Sequence, residues 1–291
     1  MAYRLVKGEF HLFYKTTRHV GSQPDGDSMW FKPNNPSHLA DLGGRDADFN
    51  KGGMAQLRFE AIDALELHYK GAHQDDALSR ASRNFLLSKA GFTSVTYSPE
   101  LFISVKTATP HPLAGHILTR NVDPFGRPVS FVFAGKASET DGTDVWLNTT
   151  RLNQSMNAHL TQSGNAYPSY YTGLPTDLRI RITELADVAW NADRGVWSED
   201  VSLGGFTAKN IDKLEKLAMW PKLFRRLVSY FKAGNSGLKK FDDWLRADPG
   251  RNDTLWIIPK GELASMHDVI SVSGNRLRMN YWPEELVIVP R

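Results

Sequence analysis

The 291-residue sequence contains no cysteine. This excludes disulfides, thiolate metal ligands and a thiol nucleophile, and it leaves the redox compartment open. The chain also lacks any apolar run approaching the roughly 18 residues of a membrane-spanning helix. Residues Met1 to Phe10 mix charged with apolar side chains and lack the apolar core of a secretory signal. We therefore expect a cytoplasmic protein that does not engage a membrane.

The composition, in contrast, provides enough apolar material for a packed core. Hydrophobic residues make up 41% of the chain and charged residues 23%, which excludes wholesale disorder. The net charge of +3 is unevenly distributed. Residues 206–291 carry 15 Lys and Arg against 10 Asp and Glu, whereas residues 1–205 carry 20 against 22. This asymmetry suggests two modules, 1–205 and a basic module 206–291.

The front module alternates strand-like and helix-like patterns. Apolar and aromatic segments predict several strands before and after one helix, and two further helices close the module. A polar stretch, Pro33 to Gly53, predicts a long loop between two of the strands. This order favours an α+β fold with a small closed β-barrel, for which the oligonucleotide-binding (OB) barrel is one candidate. The predicted strands are 3–14, 28–32, 54–65, 92–105, 115–122 and 128–134, and the three predicted helices are 74–90, 150–162 and 176–192.

The basic module begins with a predicted helix over Lys209 to Lys232, then a short helix near 238–246 and several strand-like segments, which gives a smaller α+β module. Between 206 and 240 nine Lys and Arg face only two acidic residues, and aromatic residues lie among them. Such a segment can bind nucleic acid through phosphate neutralisation and base stacking, or it can recruit a protein partner. The simpler interpretation, which we favour, is an ordinary amphipathic helix with a solvated lysine face that packs on its own small domain. The aromatic residues are Trp220, Phe224, Tyr230, Phe231 and Trp244.

Three short segments in the front module carry groups suited to phosphodiester chemistry. They are Asp25-Gly26-Asp27-Ser28, the stretch from Arg58 to Glu66, and Asp123-Pro124-Phe125-Gly126-Arg127. In an extended strand, Arg58 and Asp63 point to opposite faces unless the chain bends, because they are five residues apart. Charges on an otherwise apolar strand are costly to bury without partners, which favours a polar site.

Phosphodiester hydrolysis needs a cation on the phosphoryl oxygens, a base that activates water, and fixed positive donors. Asp27 and Asp63 offer the hard oxygen ligands that Ca²⁺ or Mg²⁺ prefers, and Glu66 offers a further carboxylate as base. Arg58 and Arg127 offer guanidiniums that can bind phosphate through two parallel hydrogen bonds.

Taken in order, these three segments, with a helix between the second and third, resemble the staphylococcal nuclease (thermonuclease) family. The resemblance covers residues from about 10 to 197, roughly two thirds of the chain. It implies a five-stranded OB barrel with three helices. It also implies a Ca²⁺-dependent nuclease, with Mg²⁺ or Mn²⁺ as alternatives, that cleaves DNA, RNA or both and leaves 3′-phosphate ends.

The resemblance also implies a role for each matched residue. Asp27, Asp63 and the backbone carbonyl of Ala64 would bind the metal, and Glu66 would activate the attacking water. Arg58 and Arg127 would bind the scissile phosphate and stabilise its developing charge. Two weaker matches remain: Asp25 would support the turn behind the ligands, and Tyr170 would lie near the terminal phosphate of a bound nucleotide.

The sequence departs from the family pattern at three places. Ala64-Leu65 replaces the usual Thr-Pro or Ala-Pro before the glutamate, so the approach of Glu66 is expected to be less rigid. Pro124-Phe125 replaces a lysine-tyrosine pair, which removes a cation and a hydroxyl near the substrate. The loop Pro33 to Gly53 is long enough to overhang the site. An alternative function is a catalytically weak or inactive barrel that binds nucleic acid or protein.

Overall fold

The computed structural model describes residues 2–99 and 103–290. In these ranges the chain forms 20 strands, seven α-helices and four short 3-10 helices. It divides into two compact units. The barrel unit comprises Met1–Glu60 and Arg83–Leu160, and the second unit comprises Ala61–Ser82 and Thr161–Arg291.

Strands dominate the barrel unit. They are β1 (Ala2–His11), β2 (Phe13–Lys15), β3 (His19–Gly21), β4 (Ser28–Pro33), β5 (Gly43–Gly44), β6 (Ala55–Phe59), β8 (Ser94–Tyr97), β9 (Val105–Thr109), β10 (Leu113–Val122), β11 (Pro128–Ala134) and β12 (Asp144–Trp146), while β7 (Ile62–Asp63) belongs to the second unit. Helix α2 (Thr149–Leu152) lies in the barrel unit, and α1 (Asp76–Ala90) and α3 (Met156–Gln162) contribute residues to both units.

Five of these strands close into a mixed β-barrel. Strand β1 pairs with β4, and β4 with β6, in antiparallel fashion. Strand β6 pairs in parallel with β11, which pairs antiparallel with β10, and β10 returns to β1. Numbered along the chain, the order around the barrel is first, second, third, fifth, fourth. The prediction of an α+β fold with a closed barrel is confirmed.

The barrel is filled by alternate residues of its strands, as the period of a β-strand requires. Phe10, Phe31, Phe59 and Phe131 are all fully or almost fully buried inside it. The pairing of β1 with β10 requires glycine at position 115, because a Cβ atom there would collide with the Phe10 ring.

The second unit combines helices with small sheets. Its remaining strands are β13 (Tyr167–Pro168), β14 (Tyr170–Tyr171), β15 (Phe206–Thr207), β16 (Thr254–Ile257), β17 (Glu262–Ser265), β18 (Ile270–Ser273), β19 (Arg276–Met279) and β20 (Leu286–Val289), and its helices are α4 (Thr176–Trp190), α5 (Ile211–Leu214), α6 (Pro221–Lys232) and α7 (Phe241–Arg246). The order β14-β20-β16-β17 forms one sheet, and β7 pairs with β13. The second unit thus joins segments from both sides of residue 205, and a functional boundary at that residue stays a prediction.

Two predicted helices are interrupted. The segment 209–232 is not one helix but α5 and α6, because Pro221 has no N–H to donate and restricts the residue before it, so it can only begin α6. The segment 150–162 divides into α2 and α3. Helix α4, in contrast, buries the predicted face of Leu178, Ile182, Leu185 and Ala189.

The predicted strand 54–65 is also divided. It ends as β6 at Phe59 and resumes as β7 at Ile62. Between them Ala61 adopts a left-handed conformation with φ of 68°. An alanine rarely takes this conformation, and here it marks a sharp bend in the chain between β6 and β7. Arg58 and Asp63 therefore do not share one straight strand.

Within the described ranges, none of the helices combines the length and the apolar character needed to cross a membrane.

Candidate functional site

In the barrel unit, the turn between β10 and β11 is organised by Asp123. Its carboxylate Oδ1 accepts hydrogen bonds from the backbone N–H groups of Phe125 at 2.9 Å and Arg127 at 3.0 Å. The backbone closes the turn through Asp123 N–H to the Arg127 carbonyl and Gly126 N–H to the Asp123 carbonyl. Gly126 has φ of 79°, which glycine adopts without steric cost. Asp123 therefore stabilises this turn through its own side chain, which accepts two backbone N–H groups of the turn.

The same carboxylate holds the two arginines singled out by the sequence. Arg127 Nε and Nη2 lie 2.8 and 2.7 Å from Asp123 Oδ2. Arg58 Nη1 lies 3.8 Å from that oxygen, and Arg58 reaches it from β6, where it is in register with Val129 of β11. Asp123 itself is almost completely buried. Asp123 thus brings together two guanidiniums, the groups that can bind an anion such as a phosphodiester through parallel hydrogen bonds.

The Asp25–Ser28 turn lies at the start of the neighbouring strand β4. Asp25 Oδ1 accepts a hydrogen bond of 2.5 Å from the Ser28 hydroxyl, and Ser28 is the register partner of Arg58. Asp27 precedes Ser28, and its backbone carbonyl accepts from Phe59 N–H at 3.1 Å. Asp25 thus stabilises the turn that carries Asp27. This places Asp27 one residue from the position opposite Arg58.

The long loop between β4 and β6 lies against the turn that carries Arg127. Asp48 N–H donates to the Gly126 carbonyl at 2.9 Å, and Arg45 Nη1 donates to the Pro124 carbonyl at 3.1 Å. The loop contains a 3-10 helix, Pro36–Leu39, and the short strand β5, which pairs with the end of β10. Phe125, between these contacts, is 73% exposed.

In the second unit, Asp63 and Glu66 share a partner that the sequence did not suggest. Arg225 Nη1 and Nη2 bind Asp63 Oδ1 and Oδ2 at 3.0 and 2.5 Å, and Nη1 also lies 2.5 Å from Glu66 Oε1. Burial lowers the pKa of the Arg225 guanidinium, but the charges of Asp63 and Glu66 outweigh it and raise the pKa well above the usual value. Arg225 is therefore permanently charged, and the three groups together carry a charge of about −1.

The backbone around Glu66 is fixed by Gln74. Glu66 N–H donates to the Gln74 side-chain carbonyl at 3.2 Å, and the Glu66 carbonyl accepts from Gln74 N–H at 2.8 Å. Gln74 is completely buried, and its amide donates to the Met219 carbonyl at 2.7 Å. Ala64 and Leu65 are buried as well. These contacts give Glu66 a fixed backbone position without the proline that the resemblance would place before it.

Tyr170 is held inside the second unit. Its side chain is completely buried, and its hydroxyl lies 2.7 Å from Thr183 Oγ1 and 3.2 Å from the Arg179 carbonyl, both in α4. Burial raises the pKa of this phenol, so it stays neutral. In this conformation Tyr170 stabilises the packing of β14 on α4, and the substrate contact implied for it stays a prediction.

The carboxylates fit Ca²⁺ by chemistry but already hold another cation. Oxygen ligands from Asp and from a backbone carbonyl are those that Ca²⁺ prefers. Yet Arg225 takes both oxygens of Asp63, so a metal could bind there only if this guanidinium moved. Across residues 2–99 and 103–290, no three or more His, Asp or Glu side chains are grouped in a way that could hold a metal ion.

The basic module uses part of its charge internally. Arg226 binds Asp253 through two hydrogen bonds of 2.6 and 2.7 Å, and Lys222 Nζ lies 3.0 Å from the same carboxylate. Together with Arg225, three of the nine cations between 206 and 240 thus pair with carboxylates. Four of the five aromatic residues are buried and cannot stack on bases in this fold. They are Trp220, Phe224, Tyr230 and Phe231.

The sequence thus indicated Arg58, Arg127, Asp63 and Glu66 but missed the two residues that organise them. The local signal for Asp123 was its place at the start of a tight turn, where a side-chain oxygen can accept backbone N–H groups. No local signal could have identified Arg225, which is 162 residues from Asp63. Comparisons of the chain with protein-family models and with curated proteins find no match.

Proposed function

We propose that this protein is a metal-dependent nuclease of the staphylococcal nuclease type. The observation that carries the proposal is the pairing of Arg58 and Arg127 on Asp123 beside the barrel turn, since these are the two arginines that the motif resemblance assigns to the scissile phosphate. Preorganised guanidiniums aimed at a developing negative charge are among the strongest contributors to catalysis.

The order of the barrel strands supports the same proposal. An OB barrel is a five-stranded barrel built as a Greek key, and the strand sequence first-second-third-fifth-fourth with β6 parallel to β11 agrees with that arrangement. Helix α1 lies between the third and fourth barrel strands in the chain, as the helix between the second and third motifs requires.

In the proposed reaction, the residues of this chain have separate tasks. Arg58 and Arg127 bind the phosphoryl oxygens and stabilise the charge that grows on them. Glu66 accepts a proton from the attacking water, which adds to phosphorus as the bond to the 5′ oxygen breaks, and the departing 5′ oxygen takes up a proton to become a hydroxyl. Ca²⁺, held by Asp27, Asp63 and the Ala64 carbonyl, would supply further neutralisation of phosphoryl charge.

A second candidate function follows from Arg225. Because its guanidinium already pairs with both Asp63 and Glu66, the chain can be stable without a metal at these carboxylates. A protein in which Asp63 and Glu66 stay paired with Arg225 would bind nucleic acid through its arginines and would not cleave it. This is the catalytically weak or inactive binding module, and the Arg225 contacts are the observation that favours it.

Cleavage assays separate the two functions. Supercoiled DNA, single-stranded DNA and RNA should be incubated with the protein in Ca²⁺, Mg²⁺, Mn²⁺ or EDTA. The nuclease proposal expects cleavage only with a metal, and Arg58→Ala and Arg127→Ala should each reduce the rate by about 10²-fold or more. Arg80→Ala, which removes an exposed arginine paired with Asp76, is the matched control and should leave the rate unchanged. Metal-independent binding without cleavage in any metal would instead identify the binding module.

A further inference from the structure

One face of a small sheet in the second unit is polar and exposed. Strand β19 lies between β15 and β18 in this sheet, and both pairings are antiparallel. Side chains of a strand alternate between the two faces of its sheet. One face is buried and carries Phe206, Leu277 and Met279. The opposite face, which we call the arginine face, is exposed at each of its five residues, Thr207, Ser271, Ser273, Arg276 and Arg278.

The register of the strands places hydroxyl groups beside both arginines. Arg276 is the register partner of Thr207 on one side and of Ser273 on the other. Arg278 is the register partner of Ser271. Register partners in an antiparallel pair share a face and have Cβ atoms about 5 Å apart. Each arginine of the face therefore has at least one hydroxyl side chain as a neighbour.

The two arginine side chains lie close together beside the loop that precedes β15. Arg276 Nη2 donates to the Gly204 carbonyl at 2.5 Å. The position that a Cβ atom on Gly205 would occupy is 3.0 Å from Arg276 Nε and 3.1 Å from Arg278 Cβ. The hydrogen bond to Gly204 orients the Arg276 guanidinium, and a guanidinium has further N–H groups that can donate to a ligand.

Three exposed lysines lie at the end of this sheet where β18 turns into β19. The carbonyl of the first, Lys209, accepts a hydrogen bond from Gly237 N–H at 3.1 Å. The next residue of that loop, Leu238, donates its N–H to the side-chain carbonyl of Asn275 in the turn. Two further lysines follow Leu238 directly. The three lysines are Lys209, Lys239 and Lys240.

The segments that build this surface contain cations and no carboxylate. Five Lys and Arg, and no Asp or Glu, occur in the ranges 207–209, 236–240 and 271–280. Among the residues that the structure describes, none of these five cations forms an ion pair. Acidic residues that flank the ranges have partners elsewhere, since Asp242 binds Arg246 and Asp268 accepts a hydrogen bond from Ser265 N–H. The surface therefore carries a net positive charge.

The residue types on this surface fit the backbone of a nucleic acid. Arginine binds phosphate oxygens through parallel N–H groups. Lysine, serine and threonine are the other side chains that commonly contact phosphate and sugar. An anionic membrane fits less well, because peripheral membrane binding combines cations with exposed apolar side chains, and the arginine face carries none. The face also carries no aromatic ring on which bases could stack.

We infer that the arginine face and the three lysines at its end bind the sugar–phosphate backbone of a nucleic acid without preference for sequence. Arg276 and Arg278 bind phosphate oxygens, and the hydroxyl groups beside them donate to phosphate or sugar oxygens. The choice of polymer rests on the proposed function, but binding at this surface requires neither a metal nor cleavage.

This surface differs from the one that the charge pattern of the sequence indicated. Lys222, Arg225 and Arg226 of α6 pair with carboxylates inside the second unit, so they are not the cations that would contact a nucleic acid. Arg276 and Arg278 lie beyond the cation-rich segment 206–240, in a short strand. The pairing of β19 with β15 brings them next to that segment.

The rival explanation is a solvated surface whose cations only keep the protein soluble. The two explanations differ in how binding depends on salt. Cations that bind phosphates release the counterions of the nucleic acid, so the logarithm of the association constant falls linearly with the logarithm of the salt concentration. A solvated surface with no ligand gives no such binding.

Fluorescence anisotropy of the full chain in EDTA, where the proposed cleavage does not occur, provides the test. The probes are labelled 20-mers of duplex DNA, duplex RNA, single-stranded DNA and single-stranded RNA, each in two unrelated sequences. We expect equal affinity for the two sequences. For duplex DNA the salt dependence should have a slope between about −2 and −4.5, because each neutralised phosphate contributes about −0.9. The DNA and RNA probes identify which polymer supplies the phosphates.

A double variant connects the binding to the arginine face. Arg276→Gln with Arg278→Gln removes two charges and keeps polar side chains on the strand. It should weaken binding by about 10-fold or more at roughly 0.1 M salt and reduce the slope by about 2. The matched control, Arg181→Gln with Lys260→Gln, removes the same charge from exposed ion pairs elsewhere in the second unit. The control should bind like the unmodified chain.

Hydrogen exchange of the unmodified chain locates the surface without any variant. Duplex DNA should slow exchange in residues 206–209 and 270–279 if it lies against the arginine face. Protection confined to other segments would overturn the inference. Thermal unfolding of both double variants verifies that they are folded.

The remaining outcomes are equally decisive. Equal weakening by both double variants would show that only net charge matters and would overturn the inference. Binding that does not depend on salt, no binding, or tighter binding to phosphatidylserine vesicles or to polyglutamate than to any nucleic acid would overturn it as well. Binding as inferred, but without cleavage in any metal, would contradict only the proposed nuclease. Metal-dependent cleavage with undiminished binding by the arginine variant would contradict only this inference.

Discussion

Arg225 binds both carboxylate oxygens of Asp63, at 3.0 and 2.5 Å, from a helix 162 residues farther along the chain. The same guanidinium reaches Glu66 Oε1. The two acidic residues that the sequence assigns to metal binding and to water activation are therefore held by a residue of the basic module. The positions of the Asp63 and Glu66 side chains therefore depend on the folding of residues 206–291, which carry Arg225.

Replacing Arg225 tests how far these carboxylates depend on it. Arg225→Met should destabilise the fold by about 3–5 kcal/mol, because it removes the guanidinium that binds two largely buried carboxylates. Urea unfolding measures the loss. Adding Ca²⁺ should raise the thermal midpoint of the variant more than that of the unmodified chain, since a bound cation stabilises the folded state.

The control for this experiment is Arg246→Met, which breaks an exposed pair with Asp242 and should change stability little. An Arg225→Met protein as stable as the unmodified chain would show that the ion pairs contribute nothing net. A variant that is destabilised but insensitive to Ca²⁺ would count against metal binding at Asp63 and Glu66.

Asp123→Asn tests whether one carboxylate positions both arginines. The asparagine can still accept the two backbone hydrogen bonds of the turn, but it no longer carries the charge that holds Arg58 and Arg127. We expect the turn to remain folded and the cleavage rate to fall by roughly 10-fold or more, as for other losses of preorganised donors. Single-turnover cleavage measures the rate, and Asp144→Asn, at an exposed pair with Arg4, serves as control. A rate equal to that of the unmodified chain would show that Asp123 has only a local role.

Glu60 provides a test by pH inside the barrel unit. Burial raises the pKa of Glu60 to about 7, against the attraction of Arg120. Because the folded state holds this proton more tightly than the unfolded state, the stability from Glu60 is complete below about pH 4.5 and is lost as pH rises towards 7. The loss is on the order of 3 kcal/mol, from about 2.5 pKa units at about 1.4 kcal/mol each.

Glu60→Gln removes this titration while keeping the shape of the side chain. The difference in unfolding free energy between the unmodified chain and Glu60→Gln should therefore move in favour of the variant between pH 5 and pH 8. Taking the difference cancels the similar contribution of Glu284, whose pKa is also raised to about 7. Urea denaturation at the two pH values measures it, and a difference that does not change with pH would contradict the assigned burial of Glu60.

Removing the basic module should unfold the second unit. Strand β20 pairs with β14, and Leu223, Phe224 and Leu227 of α6 belong to the same buried cluster as Leu65 and Tyr167. A chain that ends at residue 205 should therefore lose cooperative unfolding in the calorimeter. A cooperative transition in the truncated chain would show that residues 1–205 fold alone, as the uneven charge distribution suggested.

Local patterns in the sequence predicted the features that local physics controls. The buried face of α4 follows from apolar residues such as Leu178 and Ile182 at helical spacing, and the barrel strands follow from their alternating residues. The break at Pro221 also has a local cause, although the helical pattern on both sides concealed it.

Long-range contacts explain what the sequence could not predict. The pairing of Arg225 with Asp63 and Glu66 depends on how α6 packs in the second unit, and nothing near Arg225 in the sequence indicates it. The sequence pattern of the basic module suggests aromatic residues that stack on bases, yet Trp220 and Phe224 are buried in the core. Tyr170 is similar, because the partners of its hydroxyl, Thr183 and the Arg179 carbonyl, lie in α4.

The most direct test of the proposed function compares cleavage by the unmodified chain and Glu66→Gln on end-labelled DNA and RNA, with Ca²⁺ and with EDTA. We predict that the unmodified chain cleaves only with metal and leaves 3′-phosphate ends, and that Glu66→Gln is slower by about 10²-fold or more. Glu262→Gln, at an exposed glutamate, should cleave like the unmodified chain. Cleavage in EDTA, or equal rates for the unmodified chain and Glu66→Gln, would contradict it.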